Sequence, residues 1–304
     1  MISGSDKSTK KETHVCEKEA IDLYIMSGQS NMVGYSPVSD LDLEDQNKVY
    51  ENGYYYMTGE GERWQLRNFN VWKDTLKAGM YGCTSDFFGP EVGFSKFMED
   101  KYPVVDGKRK LAIFKYSQGG SALANRWFSS TIHEKGNGEQ IPRDLGNTSL
   151  PDCELDGNVV GDLYYNLITR VREQIMYLSE NYCVHIKGLI WNQGCQDGVD
   201  NNAFLYEQNL TDFINDVRRD LNIPNLPVVI GQILQLPTDG GCPYSSVVRE
   251  AQKNVAEAMN NVDIVITDLY LLVVYGNPHF SSASMLKLGY EEARLIYALA
   301  FPEL

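Results

Sequence analysis

Ser30 stands in the run Ile21-Asp22-Leu23-Tyr24-Ile25-Met26-Ser27-Gly28-Gln29-Ser30-Asn31-Met32. A β-rich apolar stretch ends in a glycine, and a lone serine follows two residues later. At the mouth of a buried strand, a serine occupies a constrained turn. Its hydroxyl meets a base on one side and backbone N–H donors on the other. The same residues also suit an ordinary Ser/Asn turn that caps the next helix, so the serine alone decides nothing.

Three later segments add matching chemistry: Ser117-Gln118-Gly119-Gly120-Ser121-Ala122, Trp191-Asn192-Gln193-Gly194-Cys195-Gln196-Asp197-Gly198 and Gly276-Asn277-Pro278-His279-Phe280. Acyl transfer needs a nucleophile, a base and donors aimed at a developing oxyanion. Ser30 supplies the first. His279 supplies the second, because a neutral imidazole accepts the serine proton and returns it to the leaving alcohol. Gly119 brings a backbone N–H close to a substrate with no Cβ in the way, and the Gln193 amide offers a second donor. Each also has a structural reading: a satisfied polar histidine, a glycine turn, a cap on backbone groups. Their joint placement after strands favours the catalytic one.

The elements that must position these residues are legible as apolar runs at 21–26, 111–116, 186–191, 227–233 and 262–267, the pattern of strands buried on both faces. Amphipathic helical patterns at 90–102, 162–182, 203–221, 246–260 and 284–300 separate or follow them. The alternation predicts βαβ units and a doubly wound α/β sheet of five parallel strands. Ligands in such sheets sit beyond the strand C-terminal ends, which is where the four segments fall. The stretches 35–88 and 128–161, rich in Gly, Asn, Asp and aromatics, read as long active-site loops on one domain spanning 21–304. Residues 1–20 read as a flexible tail.

The 304 residues carry a formal net charge of −14. No basic cluster offers a phosphate-binding face, which argues against a nucleic-acid partner. No segment reaches the ~18 apolar residues of a membrane span, and no apolar signal core follows Met1, so the chain reads as soluble, with secretion after loss of a signal left open. Six cysteines include no Cys-x-x-Cys, which argues against zinc; the acidic stretch 40–62 shows no ligand spacing either. Asn147-Thr148-Ser149 and Asn209-Leu210-Thr211 fit glycosylation acceptors. Oligomeric state is not readable.

The segments together resemble the SGNH hydrolase superfamily, and within it the sialate O-acetylesterase/acetylxylan esterase (carbohydrate esterase) family. The resemblance rests on Gly28-Gln29-Ser30-Asn31-Met32, Phe88-Gly89-Pro90-Glu91-Val92-Gly93-Phe94, Gln118-Gly119-Gly120-Ser121-Ala122 with Trp127, Trp191-Asn192-Gln193-Gly194, and His279-Phe280 with Leu288-Gly289, in that order. It implies a three-layer α/β/α, flavodoxin-like fold and a serine esterase that needs no cofactor or metal and removes O-acetyl groups from carbohydrate through an acetyl-enzyme. By position, Ser30 is the nucleophile and His279 the base. The N–H groups of Ser30 and Gly119 and the Gln193 side chain form the oxyanion hole. Gln29, Arg126 and Trp127 are candidate substrate contacts. Tyr54, Tyr55, Tyr56, Trp64 and Trp72 either stack on sugar rings or pack the loops.

This sequence departs from the family pattern where the acid that orients the histidine belongs. Those positions hold Cys195 and Gly276. Three outcomes follow: a dyad oriented by backbone, a substitute acid at Asp197 or Asp268, or a catalytically impaired glycan-binding protein on the same scaffold. A lipid or thioester hydrolase would need an apolar acyl groove that the polar loops do not suggest. The family strand order also places Cys195 and Cys242 in neighbouring loops, which implies a bridge between them.

Overall fold

The computed structural model describes residues 16–58, 71–102, 109–131, 154–155, 158–159, 161–238, 241–273 and 277–303. Its centre is β1 (Glu19–Gly28), buried from Ile21 to Gly28. Aliphatic and aromatic side chains alternate to both faces of this strand, and both faces are covered, so a continuous apolar run is stable there. The other sheet strands are β2 (Gly53–Thr58), β3 (Arg109–Ser117), β4 (Tyr182–Asn192), β5 (Val228–Gly231) and β6 (Val262–Val265). Their order is β6-β5-β4-β1-β3-β2, and every pairing is parallel.

The expected doubly wound α/β architecture is present, with each of the five anticipated strands. The sheet has six strands instead of five, because β2 lies inside the stretch expected to be a loop. Its tyrosines are core residues: Tyr55 and Tyr56 are 1% and 5% exposed, and Tyr56 stacks on Phe114 at 5.5 Å. A three-tyrosine edge strand flanked by Gly and Asn carries no aliphatic run that would announce it.

Helices cover both sheet faces. On one, α2 (Glu91–Met98) packs against α6 (Ser282–Ala300). The two cross where Gly93 meets Gly289; a Cβ on Gly93 would lie 2.0 Å from Leu286 O, and one on Gly289 1.9 Å from Pro90 O. Both glycines permit a backbone approach that no side chain would tolerate. On the other face lie α3 (Asp162–Ser179), α4 (Tyr206–Asp220) and α5 (Ser245–Ala258). There Trp191 meets Phe213 of α4 at 4.3 Å and Trp127 at 5.1 Å.

The first strand begins at Glu19, inside the stretch expected to be a tail, and Cys16 forms a disulfide with Cys183. Cys195 and Cys242 are free thiols, contrary to the expected bridge; Cys242 Sγ donates to Cys195 O at 3.2 Å. Asn209 is fully buried, so its triplet is closed to a glycan. Residues 1–15, Asn147, Trp64 and most of the 128–161 stretch lie outside the described residues. Among the described residues no helix is long and apolar enough to cross a membrane, and no group of three or more His, Cys, Asp or Glu gathers to hold a metal.

Candidate active site

The parallel register aligns Gly28 with Ser117 on one side and Asn192 on the other. Three strand ends therefore open at one level. Gly28 has φ +148°, and a Cβ there would come 2.2 Å from Asn192 O. Only glycine lets the chain turn this close to its neighbour. Gly28 O accepts the Gln118 N–H at 3.1 Å, and Asn192 O accepts the Gln29 N–H at 2.8 Å. The short helix α1 (Ser30–Val33) then starts at the serine, which is 7% exposed. Among the described residues, neither the Ser30 N–H nor the Gly119 N–H has an acceptor.

The His279 segment is brought to the same place by residues just after the serine. Asn31 Nδ2 donates to Pro278 O at 2.9 Å, and Asn31 Oδ1 accepts the Phe280 N–H at 3.3 Å. Ser36 Oγ donates to Phe280 O at 2.7 Å, and Ser282 Oγ to Pro37 O at 2.6 Å. The Tyr35 ring stacks on the imidazole, centroids 4.4 Å apart and planes 9° apart. The His279 N–H donates to Asn277 Oδ1 at 3.0 Å. Burial alone holds the imidazole below its ordinary pKa, so it is neutral at neutral pH; no charged group acts on it among the described residues.

Neither expected substitute acid faces this histidine. Asp197 is fully buried and accepts from Leu123 N at 2.8 Å, Ala124 N at 3.0 Å and Gln193 Nε2 at 2.5 Å. It fastens the glycine segment to the Gln193 segment. Burial pushes its carboxyl up to about 6 despite those donors. Asp268 pairs with Arg249 at the surface. Gly276 lies outside the described residues and carries no carboxylate. At the other family acid position, the Cys195 thiol is raised by its contact with the Cys242 thiol and by burial, the opposite of an activated nucleophile.

Four further candidate residues have inward partners. Gln193 spends both amide hydrogens on Asp197 and on Ser121 O at 3.0 Å, and Tyr206 donates to its Oε1 at 3.1 Å. It has none left for an oxyanion. Gln29 Oε1 accepts from Gly194 N and Gln196 N at 3.0 and 3.2 Å, so it clamps two segments together. Arg126 forms a two-pronged pair with Asp162, its Nε 2.9 Å from Oδ1. Trp127 is fully buried and donates to Ser121 Oγ at 2.8 Å. In each case an inward partner engages the polar group and holds the side chain in place. Trp72 likewise packs on Tyr56 and donates to Gln174 at 3.0 Å.

Beneath α1 lies a buried ionic layer. Lys115 Nζ bonds Glu91 Oε2 at 2.6 Å, Val33 O at 3.0 Å and Tyr81 O at 3.3 Å. Val33 closes the serine helix, so this ammonium supports the nucleophile turn from below. Burial lowers the pKa of Lys115, and Glu91 opposes that. Nearby, Glu292 of α6 faces Asn192 across Gly231, where a Cβ would lie 1.8 Å from Asn192 Oδ1 and 2.7 Å from Glu292 Oε1. Neither side chain has a partner of ordinary hydrogen-bond geometry among the described residues. Burial pushes the Glu292 carboxyl up to about 8.

A family model described as carbohydrate esterase, sialic acid-specific acetylesterase, matches residues 20–298. A probable carbohydrate esterase of Arabidopsis thaliana is 28% identical over 150 residues, 49% of this chain. That match spans about half the relative's own length, 51%. Among solved structures, an Arabidopsis thaliana protein superposes with TM-score 0.61 at 20% identity, over 91% of this chain and 98% of that one. A carbohydrate acetylesterase from Xanthomonas citri gives 0.63 at 18% identity, over 93% and 57%. NanS gives 0.59 at 14% identity, over 94% and 98%. At such identities the likeness speaks for the fold.

Proposed function

We propose, from the premise that the chain belongs to the carbohydrate esterase family of sialic acid-specific acetylesterases, that it is a serine esterase removing O-acetyl groups from carbohydrate through an acetyl-enzyme on Ser30. Ser30 Oγ attacks the acetyl carbonyl carbon while His279 takes its proton. The N–H groups of Ser30 and Gly119 receive the oxyanion. Collapse breaks the ester bond, and His279 returns the proton to the departing sugar hydroxyl. Water then attacks the acetyl-enzyme with His279 again as base, releasing acetate and restoring Ser30.

The observation that carries this reading is the pair of hydrogen bonds from the Asn31 side chain to the backbone on either side of His279. It ties the base to the residue next to the nucleophile. The base works in a dyad, since no carboxylate among the described residues acts on it. One domain, from residue 21 onward, carries the whole site. A glycan-binding protein without turnover is the second reading, favoured by that missing carboxylate.

Hydrolysis of 4-nitrophenyl acetate, followed by assay on acetylated saccharides, tests the claim. Activity abolished in Ser30→Ala and His279→Ala supports it; equal rates in all three proteins reject it. A fluorophosphonate probe that fails to label Ser30 while acetylated glycan still binds selects the second reading.

A further inference from the structure

A triad carboxylate has two tasks: it holds the imidazole in one orientation, and it stabilises the imidazolium formed when the serine proton arrives. Among the described residues nothing acidic performs either at His279. The backbone around the histidine is held by Asn31, by Asn277 and by Val273 N–H donating to His279 O at 2.9 Å. Those bonds fix the Cα and leave the ring free to rotate about its side-chain torsions.

We propose that Tyr35 is the positioning residue of the dyad, its ring stacked on His279 in place of the orienting acid; the assignment rests on the esterase reading above. The near-parallel stack at 4.4 Å and 9° restricts the imidazole to one plane. Both ring nitrogens lie in that plane, so the stack covers one ring face without covering either nitrogen. The electron-rich face of the phenol also attracts a cation. Its attraction grows when the imidazolium forms, which lowers the barrier instead of merely holding the ground state. Tyr35 has its own support. Its ring leans on Phe87 at 6.3 Å, and its neighbour Ser36 is bonded to Phe280 O. Burial raises the phenol pKa, so it stays neutral across the working range. It is the titratable group stacked on the imidazole, and the other side chains bonded to this loop, Asn31, Asn277 and Ser36, are neutral.

The test compares Tyr35→Phe with two non-stacking variants, Tyr35→Leu and Tyr35→Met, in the full chain. Thermal melts establish that each is folded. Steady-state hydrolysis of 4-nitrophenyl acetate is measured together with NMR titration of 13C-labelled histidine. Four histidines are present, and His279→Ala identifies the relevant signal. Tyr35→Phe retains kcat within about twofold. The non-stacking variants lose about tenfold in kcat with KM little changed. Their His279 midpoint moves away from the wild-type value, because the ring leaves both its desolvated position and the phenol face. Wild-type kcat and an unmoved midpoint in folded Tyr35→Leu or Tyr35→Met overturn the proposal, as does a loss confined to thermal stability. If the wild type proves inert as an esterase, the esterase reading falls alone. The midpoint shift then still decides whether Tyr35 holds the ring.

Discussion

Asn31 binds the peptide groups on both sides of His279, donating to Pro278 O at 2.9 Å and accepting from Phe280 N–H at 3.3 Å. One side chain, adjacent to the serine, thus sets the distance between two segments separated by 247 positions. Asn31→Ala is expected to cost about 1–3 kcal/mol of stability and up to ~100-fold in kcat, since displacement of a reacting group by an ångström has that effect. Urea unfolding and ester hydrolysis measure the two. An unchanged kcat in Asn31→Ala would show that the serine and histidine are held together by something else.

Asp197 faces three donors and no histidine. Asp197→Asn places an NH2 group against N–H groups that need an acceptor. It should therefore destabilise the fold by about 1–3 kcal/mol, with the pH profile of hydrolysis unshifted. A fully stable Asp197→Asn with turnover cut about 10⁴-fold would instead mark it as the triad acid.

Lys115 and Glu91 are both buried, each side chain 2% exposed. Lys115→Met leaves a carboxylate uncompensated in the interior and should cost about 3–5 kcal/mol. Combining it with Glu91→Gln, which keeps an acceptor for the Gly89 N–H, should recover a large part. A double-mutant cycle from chemical denaturation reads the coupling. Additive losses would disprove it.

Glu292 keeps its proton in the folded protein up to a pH of about 8, whereas the unfolded chain releases it near the ordinary ~4.3 of a glutamate. The folded state binds more protons in that window, so this group makes stability fall as pH rises from about 4.3 toward 8. Glu292→Gln retains shape and neutrality and removes the dependence. The variant should melt at least about 3 °C above wild type at pH 8.5 and close to it at pH 4.5. Parallel melting curves across the range would exclude a raised Glu292.

The strands around Ser30 were readable because residues such as Leu111 to Phe114 form unbroken apolar runs, and the helices because Leu163, Leu167 and Val171 recur on one face. β2 was hidden for the opposite reason, its tyrosines sitting among glycine and asparagine. Within the site, residue types were legible and partners were not. Gln29, Arg126, Trp127, Gln193 and Asp197 all carry groups suited to a ligand, yet each is engaged by an inward partner that its own segment does not announce. Asn31 lay in the quoted serine segment, and its identity was visible, but its task requires the last helix to fold back onto the first. Tyr35 opened a stretch that looked like decoration. Cys16 finds Cys183 across 167 positions, and nothing local marks the pair.

That bridge makes a covalent circle of the chain from Cys16 to Cys183. Ser30 and Gly119 are inside the circle, and His279 hangs from it on the remaining length of backbone. A protease that cuts once anywhere within the circle therefore produces no separable fragment. The nicked protein keeps its full mass until a reductant is added, when it parts into two pieces with the serine and the histidine on the same one or on different ones according to where the cut fell.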